Sequence, residues 1–231
     1  MCDSDTGPET PVSTDGTQAF YGRWAHLYDL LARRTPGIAA LRTRAAATCR
    51  LESGDTVVEM GCGTGANLPF LRDRVGPEGT VIGLDVTKPV LERARALTAE
   101  YENVHVLRAD ATRPPVRDAD AVLATFVAGM LPDPASAVDD WCDLVGSGGH
   151  VVLVNAARSR EWYAPPVNAL FRAVVVLSTP PTTTLRYDDD LTRRLDERID
   201  AAHGRLRDRS DAVAEETRTL GVVQVTGGRI E

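Results

Sequence analysis

Residues 57–68 read VVEMGCGTGANL and carry the strongest structural signal in the chain. An apolar strand pattern leads directly into three glycines at alternate positions, Gly61, Gly63 and Gly65. Glycine lets the backbone turn sharply and approach a ligand with no Cβ in the way. The helix expected from Asn67 onward would present free N–H groups beside that turn. Such a turn, at the carboxyl end of a parallel strand, predicts a site for a nucleotide or a nucleoside.

Strand and helix patterns alternate around this segment, which predicts an α/β fold with a doubly wound, mostly parallel, Rossmann-like sheet. The predicted strands are residues 56–60, 80–85, 104–107, 119–126, 150–155 and 222–225, with helices over 67–75, 89–101 and 135–145. Two helices are expected before the first strand, over 18–31 and 38–49. A long amphipathic helix is expected within 191–206, kinked at Gly204. Only residues 227–231 follow the sixth predicted strand, which leaves room for at most a short seventh strand.

These patterns divide the chain into four regions. Residues 1–17 form an acidic tail that we expect to be mobile, and residues 18–157 form the binding domain with its N-terminal lid helices. Residues 158–220 are expected to be a helical insertion between strands five and six, serving as a lid over the site or for dimerisation. Residues 221–231 supply the final strand.

Composition excludes several classes of protein. The 231 residues carry a net charge of −7, which is the wrong sign for a nucleic-acid partner. No apolar run approaches the ~20 residues of a membrane span, and the N-terminus lacks a secretory signal pattern, so we expect a cytoplasmic protein. The cysteines are Cys2, Cys49, Cys62 and Cys142. Their spacing predicts separate thiols and no metal site.

Acidic residues beside the glycines narrow the choice of ligand. Gly61, Gly63 and Ala66, with Asp85 downstream, also satisfy a dinucleotide fingerprint. However, Glu59 ends the first strand and Asp110 follows the third, and together with Asp85 they would repel a pyrophosphate. Three acids suit a cationic ligand with ribose hydroxyls and no phosphate, a description that fits S-adenosylmethionine.

Residues 55–155 resemble the class I S-adenosylmethionine-dependent methyltransferases. The resemblance rests on the Glu-x-Gly-x-Gly-x-Gly loop from Glu59, on Asp85, on Asp110-Ala111 and on the turn 146–149, GSGG. It implies that Glu59 faces the cofactor's ammonium group and that Asp85 accepts hydrogen bonds from the ribose hydroxyls, with Val86 beside the adenine. Asp110 would accept from the adenine amine, with Ala111 nearby. The positions that it assigns to the methionine end are Glu59, Gly61, Cys62, Gly63, Gly65, Thr125 and Phe126.

The N-terminal segment 21–30, YGRWAHLYDL, resembles the opening of the quinone-biosynthesis C-methyltransferases. With GTGANLP at 63–69 it is also similar to bacterial phospholipid N-methyltransferases. This implies that Tyr21 and Tyr28 cover the cofactor, although packing of the helix onto the sheet would explain the same aromatic spacing. His26 in that helix is the candidate general base. Of the other histidines, we expect His105 and His150 to be structural and His203 to be solvated.

The acceptor is expected to be small and apolar, such as a quinone precursor or a lipid. Residues 124–128 read ATFVA, without the Asn/Asp-Pro-Pro-aromatic tetrapeptide of enzymes that methylate amino groups of DNA bases. Trp162, Tyr163, Phe171 and the run 173–177 could form an acceptor pocket or touch a membrane surface. Ordinary packing or a homodimer contact would use the same residues. Two other functions stay open at this point: a protein that binds S-adenosylmethionine or its product S-adenosylhomocysteine without catalysis, and an NAD-dependent oxidoreductase.

Overall fold

A computed structural model describes residues 37–159, 162–169 and 189–231 of the chain. The predicted tail 1–17 and the predicted helix 18–31 lie outside the described residues. Within the described ranges, no helix is both long enough and apolar enough to cross a membrane.

The strands fall close to the predicted positions. They are β1 (Thr56–Met60), β2 (Thr80–Asp85), β3 (Val104–Arg108), β4 (Ala121–Thr125), β5 (His150–Ala156), β6 (Ser210–Arg218) and β7 (Val223–Ile230). They form one sheet in the order β3-β2-β1-β4-β5-β7-β6. In this sheet β7 runs antiparallel to both of its neighbours, β5 and β6, and the other neighbouring pairs are parallel. From β1 the chain winds outward through β2 and β3, and then returns to place β4 on the other side of β1. This reversal of strand order opens a crevice at the carboxyl ends of β1 and β4, where open α/β sheets bind their ligands.

Helices cover both faces of the sheet, which confirms the predicted doubly wound fold. They are α1 (Ile38–Thr48), α2 (Leu68–Val75), α3 (Lys88–Leu97), α4 (Pro134–Val145), α5 (Asp189–Asp208) and a 3-10 helix (Ala128–Met130), and residues 164–169 are also helical. Successive strand residues point to opposite faces. Val57 therefore packs in the core beneath α1, α2 and α3, whereas Val58 packs in the core beneath α4 and α5.

The end of the sheet differs from the sequence prediction. Of the predicted strand 222–225, residues 223–225 belong to β7, and β6 is the preceding segment Ser210–Arg218, which lies inside the region predicted to be helical. The two strands pair as an antiparallel hairpin, so strand seven is present. Residues 210–218, SDAVAEETR, show no apolar alternation because β6 is an edge strand that is mostly exposed on both faces. The pattern therefore gave no strand signal.

The long helix α5 is also packed differently from the prediction. It continues through Gly204 to Asp208 as one unbroken helix. His203 is buried rather than solvated, and its ring nitrogens lie 3.0 Å from Asn155 Nδ2 on β5 and 2.7 Å from Thr226 Oγ1 on β7. Burial lowers its pKa to about 4. A neutral imidazole between two polar partners thus fastens α5 to the sheet.

Candidate cofactor site

The glycine loop after β1 is built from three residues with left-handed backbone. Gly61, Gly63 and Gly65 have φ of 67°, 54° and 78°, which L side chains rarely adopt. A Cβ at Gly61 would lie 2.7 Å from Val127 Cγ2, and one at Gly65 would lie 2.9 Å from the Ala94 Cβ on α3. A Cβ at Gly63 would meet nothing within 4 Å. The outer two glycines therefore permit close packing, and Gly63 leaves an open backbone face.

Asp85, at the end of β2, lies against this loop. Its Oδ2 accepts a hydrogen bond from the Gly63 N–H at 3.0 Å, and its Oδ1 accepts one from the Thr87 N–H at 2.8 Å. The carboxylate is thereby held in one orientation, partly buried, beside the open face of Gly63. Each oxygen keeps a second lone pair, so the group can still accept hydrogen bonds from a pair of hydroxyls.

Glu59 is a buried carboxyl at the base of the crevice, on β1. Its Oε1 accepts a hydrogen bond from Asn67 Nδ2 at 2.5 Å, while Oε2 has no hydrogen-bond partner among the described residues. Burial raises the pKa of Glu59 to about 8, although the Asn67 hydrogen bond and the charge of Arg42 oppose the rise. A buried acceptor without a partner costs free energy, which a cationic ligand would offset.

Asn67 is a polar residue at this site that the sequence analysis did not single out. Its Nδ2 also lies 3.2 Å from Thr125 Oγ1 at the end of β4, so a single amide joins the ends of β1 and β4. It occupies the position before α2 but does not cap that helix with its side chain. Asparagine at a helix start is ordinarily explained by capping, so the pattern alone gave no reason to assign it another role.

The third acid, Asp110, is more exposed than the other two. Its Oδ1 accepts from the N–H and the hydroxyl of Thr112, each at 2.9 Å, which fixes the turn after β3. The next residue, Ala111, is buried, and its carbonyl accepts the indole N–H of Trp141 at 2.8 Å. These bonds anchor the loop after β3 and leave the Asp110 carboxylate facing solvent.

Apolar side chains at the same edge are exposed, contrary to their preference for burial. Val86 after β2 is 50 % exposed, and Phe126 and Met130 after β4 are 43 % and 58 % exposed. Phe126 has φ of 58°, a strained conformation for a bulky residue, and its N–H donates to the Val154 carbonyl at 2.7 Å. Strained and exposed apolar groups beside a crevice are typical of a binding surface.

The structure brings together the predicted positions on the loop after β1 and at the ends of β2, β3 and β4.

The other aromatic residues and the histidines that the sequence analysis named lie elsewhere in the chain. Tyr21, His26, Tyr28, Phe171 and the run 173–177 lie outside the described residues. His105 is exposed on the edge strand β3 and takes no part in the buried core, contrary to the structural role predicted for it. His150 lies at the amino end of β5, at the opposite edge of the sheet, and burial lowers its pKa. No cluster of potential metal ligands occurs among the described residues.

Known proteins are similar to this chain in sequence and in fold. Residues 58–153 match the family described as "Methyltransferase domain". The chain is 34 % identical over 167 residues to phosphatidylethanolamine N-methyltransferase from Cereibacter sphaeroides, covering 70 % of this chain and 78 % of that one. It is 29 % identical to demethylmenaquinone methyltransferase from Staphylococcus epidermidis, over 51 % of this chain and 49 % of the other. The fold is similar to the crystal structure of a SAM dependent methyltransferase from Aquifex aeolicus, with a TM-score of 0.57 at 17 % identity, covering 88 % of this chain and 98 % of that one.

Proposed function

Because the chain belongs to the class I S-adenosylmethionine-dependent methyltransferases, we propose that it methylates a small apolar acceptor, either a lipid or a quinone precursor. The observation that carries the choice of an apolar acceptor is the exposure of Phe126 and Met130 directly after β4. Two apolar side chains at the mouth of a polar crevice would hold a hydrophobic molecule next to a charged cofactor.

The residues at the crevice fit S-adenosylmethionine. The Oε2 of Glu59, which has no hydrogen-bond partner in the described part of the chain, suits the cofactor's ammonium group. The oriented carboxylate of Asp85 suits two ribose hydroxyls. The exposed side chain of Val86 would lie against the adenine, and Asp110 would accept from its amine. The residues proposed to line the methionine end are Glu59, Gly61, Cys62, Gly63, Gly65, Thr125 and Phe126. S-adenosylhomocysteine is the product that leaves the same site.

In this mechanism the protein acts by positioning. Bound S-adenosylmethionine supplies an electrophilic methyl group on its sulfonium, and transfer proceeds by in-line displacement. Glu59 and Asp85 would hold the two ends of the cofactor, which fixes the methyl group between them. Phe126 and Met130 would exclude water and bring the acceptor atom into line. His26 remains our candidate base for an acceptor that must lose a proton.

The relatives support the two acceptor classes to be tested. One relative is named for phosphatidylethanolamine and another for demethylmenaquinone, both of which are apolar molecules with a reactive polar end. The chain spans most of the first relative but about half of the second. This coverage favours the lipid as the first acceptor to assay.

A methyl-transfer assay tests the proposal. The chain would be incubated with S-adenosylmethionine labelled on its methyl group, and with either phosphatidylethanolamine vesicles or demethylmenaquinone in detergent micelles. We expect label in the organic phase with one of them, and at least about tenfold less with Asp85→Ala when the cofactor is below saturation. Asp120→Ala is the matched control, because the Asp120 carboxylate accepts a hydrogen bond from the Thr56 N–H at the amino edge of the sheet, away from the crevice. Transfer confined to polar small molecules would contradict an apolar acceptor.

We further propose a peripheral membrane contact through Trp162, which is 91 % exposed and packs edge-on against Tyr163 with ring centroids 5.5 Å apart. Aromatic side chains with a polar tip favour the membrane interface. Co-sedimentation with anionic and neutral vesicles, for the wild type and Trp162→Ser, would test this contact. Equal sedimentation of both proteins would contradict it. A homodimer remains a prediction.

A further inference from the structure

We propose that Asn67 is a positioning residue for cofactor binding. It holds one carboxyl oxygen of Glu59, leaves the other oxygen for the cofactor's ammonium group, and links Glu59 to Thr125. This inference rests on the proposed cofactor site. Asn67 itself touches no reacting atom in this scheme. Its role is to set the direction in which the buried carboxyl of Glu59 can act.

The geometry assigns different tasks to the two hydrogens on Asn67 Nδ2. One lies on the 2.5 Å bond to Glu59 Oε1, and the other is available for the 3.2 Å contact with Thr125 Oγ1. An amide donor stabilises the ionised form of a carboxyl that burial would otherwise keep neutral. Since Oε1 is already engaged, Oε2 is the oxygen left to meet a ligand.

The surroundings of Glu59 make this donor important. The charged groups that act on it are Arg42 of α1, which favours ionisation, and Asp85, which opposes it. The thiols of Cys49 and Cys62 also lie close enough to interact, and burial keeps both thiols neutral by raising their pKa. Asn67 donates the hydrogen bond that most strongly opposes the effect of burial on the pKa of Glu59.

Proton release on binding follows from this arrangement. Burial, which raises the pKa of Glu59 to about 8, favours the protonated carboxyl in the free protein at neutral pH. When the ammonium group arrives, that proton leaves to solvent and the resulting carboxylate pairs with the cation. Binding should therefore strengthen as the pH rises from 6 to 8, by up to about tenfold per unit, because one proton is released per ligand.

Calorimetric titration with S-adenosylhomocysteine between pH 6 and 8 tests the role of Asn67. In wild type, we expect the affinity to rise with pH and to level off toward pH 8, with a proton release detectable by comparing buffers of different ionisation enthalpy. Asn67→Leu removes both donors at similar volume. It should bind at least tenfold more weakly at pH 8, with an affinity that is still rising steeply there. Asn67→Ala removes the same donors and replaces the leucine variant if that one does not fold.

Asn103→Leu is the matched control. Asn103 donates from Nδ2 to the carbonyls of Gly76 and Gly79, at 2.8 and 2.7 Å, on the amino side of the sheet. Its loss should lower the melting temperature and leave the pH profile of binding unchanged. If Asn67→Leu binds with the affinity and pH slope of wild type, Asn67 has no positioning role. If wild type fails to bind S-adenosylhomocysteine at all, the proposed cofactor site itself is wrong.

Discussion

His203 of α5 and Thr226 of β7 are joined by a hydrogen bond of 2.7 Å between Nδ1 and Oγ1 inside the protein. Because Asn155 Nδ2 donates to the other ring nitrogen, Nε2 must accept, and the ring proton therefore lies on Nδ1. The long helix is thus attached to β5 and β7 through a neutral histidine. α5 also reaches the 3-10 helix behind Phe126, where a Cβ at Gly129 would lie 2.5 Å from Leu195 Cδ1.

Acid should loosen this attachment. The folded pKa of His203 is about 4, below its ordinary value of 6.5, because burial and the charge of Arg207 disfavour the imidazolium, while Glu215 and Asp200 favour it. The stabilisation is complete above pH 6.5 and is lost as the pH falls toward 4, since the unfolded chain binds the proton first. The free energy of unfolding that acidification removes through His203 is at most of the order of 3 kcal/mol. Urea unfolding at pH 4.5 and 7.5 would measure it.

His203→Gln is the companion to that measurement, because glutamine keeps polar atoms in place without a titrating ring. We expect the variant to be less stable than wild type at pH 7.5, with a smaller further loss at pH 4.5. An equal loss of unfolding free energy in both proteins on acidification would mean that other groups govern the acid response.

Removal of the Asp85 carboxylate should weaken cofactor binding by at least ~1.5 kcal/mol, because two ribose hydroxyls would lose their charged acceptor. Calorimetry with S-adenosylmethionine on wild type and Asp85→Ala would measure the change, and NAD should not bind to either. Asp120→Ala should bind as wild type does. Unaltered binding by Asp85→Ala would exclude the ribose role.

Gly63 and Gly146 allow the shape of the loop to be tested separately from its strain. Their φ values are 54° and 64°, and an added Cβ would meet nothing within 4 Å at either position. Both alanine variants should therefore lose unfolding free energy from backbone strain, of the order of 1–3 kcal/mol, with the larger loss at Gly146, whose ψ of −175° lies in a region open essentially to glycine alone. Only Gly63→Ala should also reduce binding of S-adenosylhomocysteine, because its Cβ would project into the proposed cofactor crevice. Equal binding by the two variants would place the ligand away from Gly63.

Most of the parallel sheet was predictable because its strands are short apolar runs bounded by turn residues, as in β1 and β2. The hairpin at the end was not, because β6 is mostly exposed on both faces and its residues follow no alternating pattern. His203 could have been identified from the sequence. It lies four residues after the buried Ile199 and three before the buried Leu206, so it shares their face of α5.

The candidate site also contains residues that were predictable from the sequence and others that were not. Asp85 and the glycines were recognisable because their positions at strand ends follow from local sequence. The bonds from Asn67 to Glu59 and Thr125 were not, because residues 8 and 58 positions away come together only when β1 and β4 pair. Burial of Glu59, which raises its pKa, is likewise a property of the folded crevice and not of the loop.

The β6–β7 hairpin has a practical consequence for handling the protein. Since β7 runs antiparallel to β5, Arg229 pairs with His150 at the amino end of β5, and Glu231 leaves the sheet at that edge. The cofactor crevice lies at the opposite edge, beyond the carboxyl ends of β1 and β4. A fluorescent reporter or surface tether fused after Glu231 would therefore emerge far from the crevice, and immobilised protein should present that crevice to ligand in solution.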